Sequence, residues 1–72
     1  MGKFAPIGRQ IWRARNFRGL TQEQLAVKMG VSQQLIARLE KDDSNPTLRT
    51  IVRVCEALDF ELGVVLKKRH RR

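Results

Sequence analysis

The chain has one cysteine, one histidine and two prolines in 72 residues. A lone cysteine cannot close an internal disulfide, and one cysteine with one histidine cannot close a tetrahedral zinc site. Long apolar runs are missing as well. Val64-Val65-Leu66 is far too short to span a bilayer, and the stretch from Met1 to Pro6 lacks the apolar core of a secretion signal. No membrane partner is therefore expected, and an intracellular, soluble protein is. There is no Ser/His/Asp set, no paired-carboxylate site and no phosphate-binding loop, so neither catalysis nor a cofactor is expected. Internal repeats and linker-like stretches are also lacking. At 8.3 kDa the chain holds one small domain with a marginal core. Without a disulfide or a metal, subunit association is the remaining source of stability.

Acidic residues are scarce too. Seven Asp+Glu stand against fifteen Lys+Arg, for a net charge of +8 and a pI of about 11.2. Five of the cations (Lys67, Lys68, Arg69, Arg71 and Arg72) fall in the last six residues; the remaining ten still outnumber the acids by three. A polyanionic partner is implied, with nucleic acid the foremost class. For the tail alone, a mere aid to solubility is the competing reading, and His70 within it reads as solvated. With 42% hydrophobic and 31% charged residues, the composition is that of a folded domain rather than a disordered chain.

The pattern along the chain predicts four helices. Pro6 suits a first helical turn, and Ile7, Ile11 and Ala14 then share one face, with Gly19 as a stop. Thr21 opens a second helix with the capping box Thr21-x-x-Gln24; Leu25, Ala26 and Met29 face inward and Gly30 ends it. Ser32 caps a third helix running to about Lys41, with Leu35, Ile36 and Leu39 inward and Gln33, Gln34, Ala37 and Arg38 outward. Residues 42–46 read as a loop. Thr47 caps a fourth helix whose expected apolar stripe is Leu48, Ile51, Val52, Cys55 and Leu58. Residues 60–66 differ: Leu62, Val64 and Leu66 alternate on one side, which predicts a short strand. Nothing else in the chain can pair with it, and a lone strand leaves its backbone groups unsatisfied. Pairing with its copy in a second subunit follows, giving a two-stranded ribbon on a two-fold axis. A continuation of the fourth helix, or a fifth helix, is the alternative.

The most informative stretch is 22–41. Two helices are joined by a tight turn. Small Ala26 permits a close crossing, Gly30 can take a positive φ, and Val31, Ile36 and Leu39 lock the pair. This is the recipe for a helix-turn-helix, whose second helix lays its N-terminal turn in the major groove. Gln33 and Gln34 there, and Arg38 one turn on, are candidate base readers: glutamine can bond adenine N6/N7 and arginine guanine O6/N7 in bidentate fashion.

The chain resembles the Cro/CI-type (XRE) helix-turn-helix repressors over roughly residues 7–58. The carriers are Leu20-Thr21-Gln22-Glu23-Gln24-Leu25-Ala26, Gly30-Val31-Ser32-Gln33-Gln34, Ile36, Leu39-Glu40 and Asn45-Pro46-Thr47-Leu48. The resemblance implies an all-α, lambda-repressor-like four-helix fold in a bacterial, nucleoid-associated cytoplasmic protein. It implies a homodimer on a pseudo-palindromic double-stranded operator. It places Gln33, Gln34 and Arg38 at base-reading positions and Gln22 on a phosphate, and it pairs Arg15 with Glu40. Ser32, Lys41, Thr47 and Arg49 complete the expected phosphate contacts. Two departures stand out. Where many members have a glycine soon after the glutamate, this chain has Lys41-Asp42-Asp43-Ser44, whose carboxylates are unfavourable near DNA. The end, with Leu62, Val64 and Leu66 as dimerisation residues, is similar to the strand-ending antitoxins of the HipB type. That likeness implies a HipA-type kinase toxin as partner; a phage or plasmid repressor, or a HigA-type antitoxin, shares most of the other features.

The expected organisation is one domain over residues 1–66, strand included, and a basic tail over 67–72. Trp12 lies roughly 120° from the centre of the first helix's apolar stripe, at 100° per residue. It is expected either to pack, on the C-terminal strand or on Phe17 and Phe60, or to stand exposed as an anchor for a protein partner. Cys55 is expected to be a buried, inert thiol.

Overall fold

The structure, a computed structural model, describes residues 5–64 and 66. Its four helices are α1 (Ile7–Phe17), α2 (Gln22–Met29), α3 (Gln33–Leu39) and α4 (Leu48–Leu58). Each boundary has a local cause. Thr21 and Gln24 close the capping box: the Gln24 N–H donates to Thr21 Oγ1 at 3.0 Å and the Thr21 N–H donates to Gln24 Oε1 at 2.8 Å. Gly30 takes φ +72°, and the Val31 N–H returns to the Ala26 carbonyl, which makes the turn between α2 and α3 tight. The Ser32 hydroxyl accepts from the Leu35 N–H and that of Thr47 from the Thr50 N–H. α4 ends on Asp59 at φ 58°, with the Phe60 N–H bonded back to the Cys55 carbonyl.

α3 stops at Leu39, short of the expected Lys41. Its last carbonyls are taken from outside the helix: Ser44 Oγ donates to the Leu39 carbonyl at 2.8 Å, and the Lys41 N–H closes a tighter turn onto Arg38. α1 also runs directly against this end through Gly8. A β-carbon there would lie 2.0 Å from the Lys41 carbonyl oxygen and 2.8 Å from that of Leu39.

The core is Ile11, Leu25, Ala26, Ile36, Leu39, Val54 and Leu58. α4 packs on both α1 and α2, so its buried arc centres on Val54 and Leu58. This corrects the expected stripe: Leu48 and Val52 are exposed, Val54 is buried, and Cys55 is only half-buried at the edge. Long side chains tie the helix ends together. Arg53 Nη2 donates to the Met29 carbonyl at 2.8 Å. Arg18 donates to the Leu58 and Asp59 carbonyls at 2.7 and 2.8 Å, while its guanidinium stacks on Phe17 and Phe60, themselves edge to face at 5.9 Å.

No strand occurs among the described residues from Phe60 onward. In a single chain none can form, because the expected partner strand is that of a second copy. Val65 and the basic tail lie outside the described residues.

Candidate nucleic-acid interface

The buried centre of the interface is a charged cluster, and three elements build it. Arg15 is the one charged residue of the core among the described residues; it projects from α1 toward Glu40 at the end of α3. Its Nε and Nη2 donate to the two carboxylate oxygens at 2.5 and 2.9 Å, and its Nη1 donates to the Leu20 carbonyl at 2.6 Å. The two side chains are only 8% and 4% exposed. Gln22, at the start of α2, adds a bond from its amide to Glu40 Oε1 at 3.1 Å. This bidentate geometry is the strong form of the carboxylate–guanidinium pair. The hydrogen bond to Glu40 is the main reason the Arg15 pKa is raised; burial opposes it and the Glu40 charge reinforces it. The cluster thus fixes α1, α2 and α3 relative to one another and leaves no unpartnered polar side-chain atom buried among the described residues.

On this frame α3 presents Gln33, Gln34 and Arg38 to solvent. Ile36 and Leu39 are buried beneath them and Leu35 is half-buried. The face is therefore held from below by packing and at its start by the Ser32 cap. Arg38 and Lys41 meet along one shallow groove with Leu35 and Pro46, and Asp43 supplies a carboxylate to the same groove.

The expected phosphate contacts are dispersed around this face. Ser32, Lys41, Thr47 and Arg49 are exposed. The hydroxyl oxygens of Ser32 and Thr47 already accept from the Leu35 and Thr50 N–H groups, and Thr47 Oγ1 also shares a hydrogen bond with Thr50 Oγ1 at 3.0 Å, so toward an anion Ser32 offers its O–H and each helix start its remaining backbone N–H groups. Gln22 is half-buried against Glu40 rather than standing free.

Trp12 does not pack on Phe17 and Phe60, which hold each other and Arg18. It is 49% exposed and lines an open cleft with Arg9, Arg13, Glu40 and Asp42. Arg9 Nη2 meets Asp42 Oδ2 at 2.7 Å across the rim. The apolar stripe of α1 assigns no role to Arg9 and Arg13; their spacing of four beside Trp12 on an amphipathic helix is the signal that points to them.

Leu62 (39% exposed), Val64 (68%) and Leu66 (90%) are open to solvent. Leu62 and Phe60 border an apolar groove with Ile7, Ile11, Ile51 and Cys55. Burial is the first cause, and the charge of Glu56 the second, that pushes the Cys55 thiol up, which keeps it protonated and poorly nucleophilic. Among the described residues no His/Cys/Asp/Glu group could hold a metal ion, and no helix is long and apolar enough to cross a membrane.

A helix-turn-helix family model matches residues 13–65. The immunity repressor protein of Bacillus phage phi105 is 37% identical over 60 residues, which are 83% of this chain and 42% of that protein. Antitoxin HigA1 of Mycobacterium tuberculosis is 42% identical over 48 residues, 67% of this chain and 32% of that protein. The chain thus spans less than half the length of either relative. Among solved structures, a chain of the HipA–HipB–O2–O3 complex superposes with a TM-score of 0.71 at 26% identity, covering 94% of this chain and 99% of that one.

Proposed function

Because the chain belongs to the Cro/CI-type (XRE) helix-turn-helix family of transcriptional regulators, we propose that it acts as a homodimeric, sequence-specific repressor on a pseudo-palindromic operator. The observation that carries this reading is the exposure of Gln33, Gln34 and Arg38 along one helix whose other side is locked into the core and whose end is fixed by Arg15–Glu40. A rigid helix with planar side chains capable of bidentate hydrogen bonding on its outer face is what major-groove readout requires. In the dimer, Leu62, Val64 and Leu66 pair the subunits, and the two α3 helices enter major grooves about 34 Å apart.

Selection from a randomised duplex library, followed by binding titrations, tests the proposal. The selected sites should be inverted repeats. Gln34→Ala or Arg38→Ala should cost about 1–3 kcal/mol at particular base pairs and relax the preference there. A uniform loss across all sequences would show that these side chains do not read bases.

A second reading has its own support. The similarity to antitoxin HigA1 and to a chain of the HipA–HipB complex favours an antitoxin that represses its own operon and neutralises a toxin, a HipA-type kinase in the case of the second likeness. Co-purification from the native host separates the two: a stoichiometric toxin partner supports the antitoxin, a kinase-like one its HipA-type form, and the absence of any such partner supports the plain repressor.

A further inference from the structure

The Trp12 cleft lies outside the base-reading face, and its construction suggests a use. Gly8 allows α1 to abut the end of α3, where any β-carbon would strike backbone. That approach sets Arg9, Trp12 and Arg13 beside Glu40 and Asp42. Both acids are matched: Glu40 by Arg15 and Gln22, Asp42 by Arg9. Arg13, exposed on α1, is left as a cation with no acidic partner among the described residues, next to a half-exposed indole.

We propose that this cleft is a second DNA-backbone surface. Arg13 neutralises a phosphate just outside the half-site read by α3, and Trp12 packs on the adjoining sugar. The inference rests on the DNA-binding reading above. Continuity supports it: Gln22, at the α2 terminus that faces the backbone in this motif, bonds to Glu40, and Glu40 itself lines the cleft. Glu40 therefore joins the cleft to the α2 terminus. Charge supports it as well, since the acids there are already spent and the residual charge is positive. An acidic protein segment would need the same cation but no duplex, and is an outcome of the test.

The test uses the full-length protein with two duplexes carrying one selected operator, one ending at the outer edge of each half-site and one extended by about half a helical turn on each side. The extended duplex should bind more tightly, with a log–log salt slope steeper by about 0.9 per subunit. Arg13→Gln should abolish that difference and weaken operator and scrambled DNA by the same factor; Arg13→Lys should keep it. Trp12→Ala should lower affinity for the extended duplex without changing the slope. Melting by circular dichroism checks that each variant is folded. If the wild type discriminates operator from scrambled DNA but ignores the flanks, or if Arg13→Gln loses only an acidic protein partner, the cleft is not a DNA surface while base reading by α3 stands. If the wild type does not discriminate at all, the underlying DNA reading has failed.

Discussion

Arg15 and Glu40 show what one pair of residues decides. Each is nearly buried, so removing one strands the other in a low-dielectric site. Arg15→Ala or Glu40→Ala should cost about 3–5 kcal/mol in urea denaturation, and the double variant should cost less than the sum of the two. The raised Arg15 pKa sets the pH dependence on the cation's side. Its folded value lies above that of a free guanidinium, so its contribution is complete at any pH below that ordinary value and is lost only as pH rises through the folded value. Around neutrality it is constant. The exposure of Gln33, Gln34 and Arg38 was legible because it follows from the 3.6-residue period around Ile36 and Leu39. The Arg15–Glu40 pair was not legible from periodicity, since 25 residues separate its members; only the family resemblance implied it. The surroundings of Trp12 could not be read from α1 alone, because they are set by where the end of α3 arrives.

At the scale of elements, the starts of α2, α3 and α4 and the end of α2 at Gly30 were legible, whereas the end of α3 and the buried face of α4 were not. A cap is a bond across three residues, and Thr21, Ser32 and Thr47 each make one. The end of α3 depends instead on Ser44 and on Gly8 of a different helix. Likewise, which face of α4 is buried depends on its packing against two helices, which moved the core position to Val54 and left Leu48 and Val52 in solvent. Gly8 gives a sharp test of this through-space control. Helix propensity alone favours alanine over glycine by roughly 1 kcal/mol. Gly8→Ala should nevertheless destabilise the protein by about 1–3 kcal/mol, because its methyl would meet the Lys41 carbonyl at 2.0 Å. Thermal denaturation of the variant reads the sign directly, and a rise in Tm would mean that α1 can withdraw from α3 at little cost.

For the whole molecule, the seven buried apolar residues among those described make a thin core, and the proposed ribbon would add to it between subunits. Val64 and Leu66 are so exposed in the single chain that changing both to lysine should leave the helices intact. Sedimentation should find a dimer for the wild type and a monomer for the double variant at the same concentration, with unchanged helical circular dichroism. A wild type that sediments as a monomer would exclude the ribbon. The sequence points to a dimer only through the strand expected over residues 60–66, for which one chain offers no partner.

Glu40 and Asp42, at the end of α3, are paired with arginines from α1, so in the proposed complex a helix outside the base-reading face would help to set the charge that the duplex meets. A genetic screen for alleles that fail to silence a reporter would then return lesions in α1 alongside those in α3. Compensating base changes in the reporter's promoter would rescue only the second group.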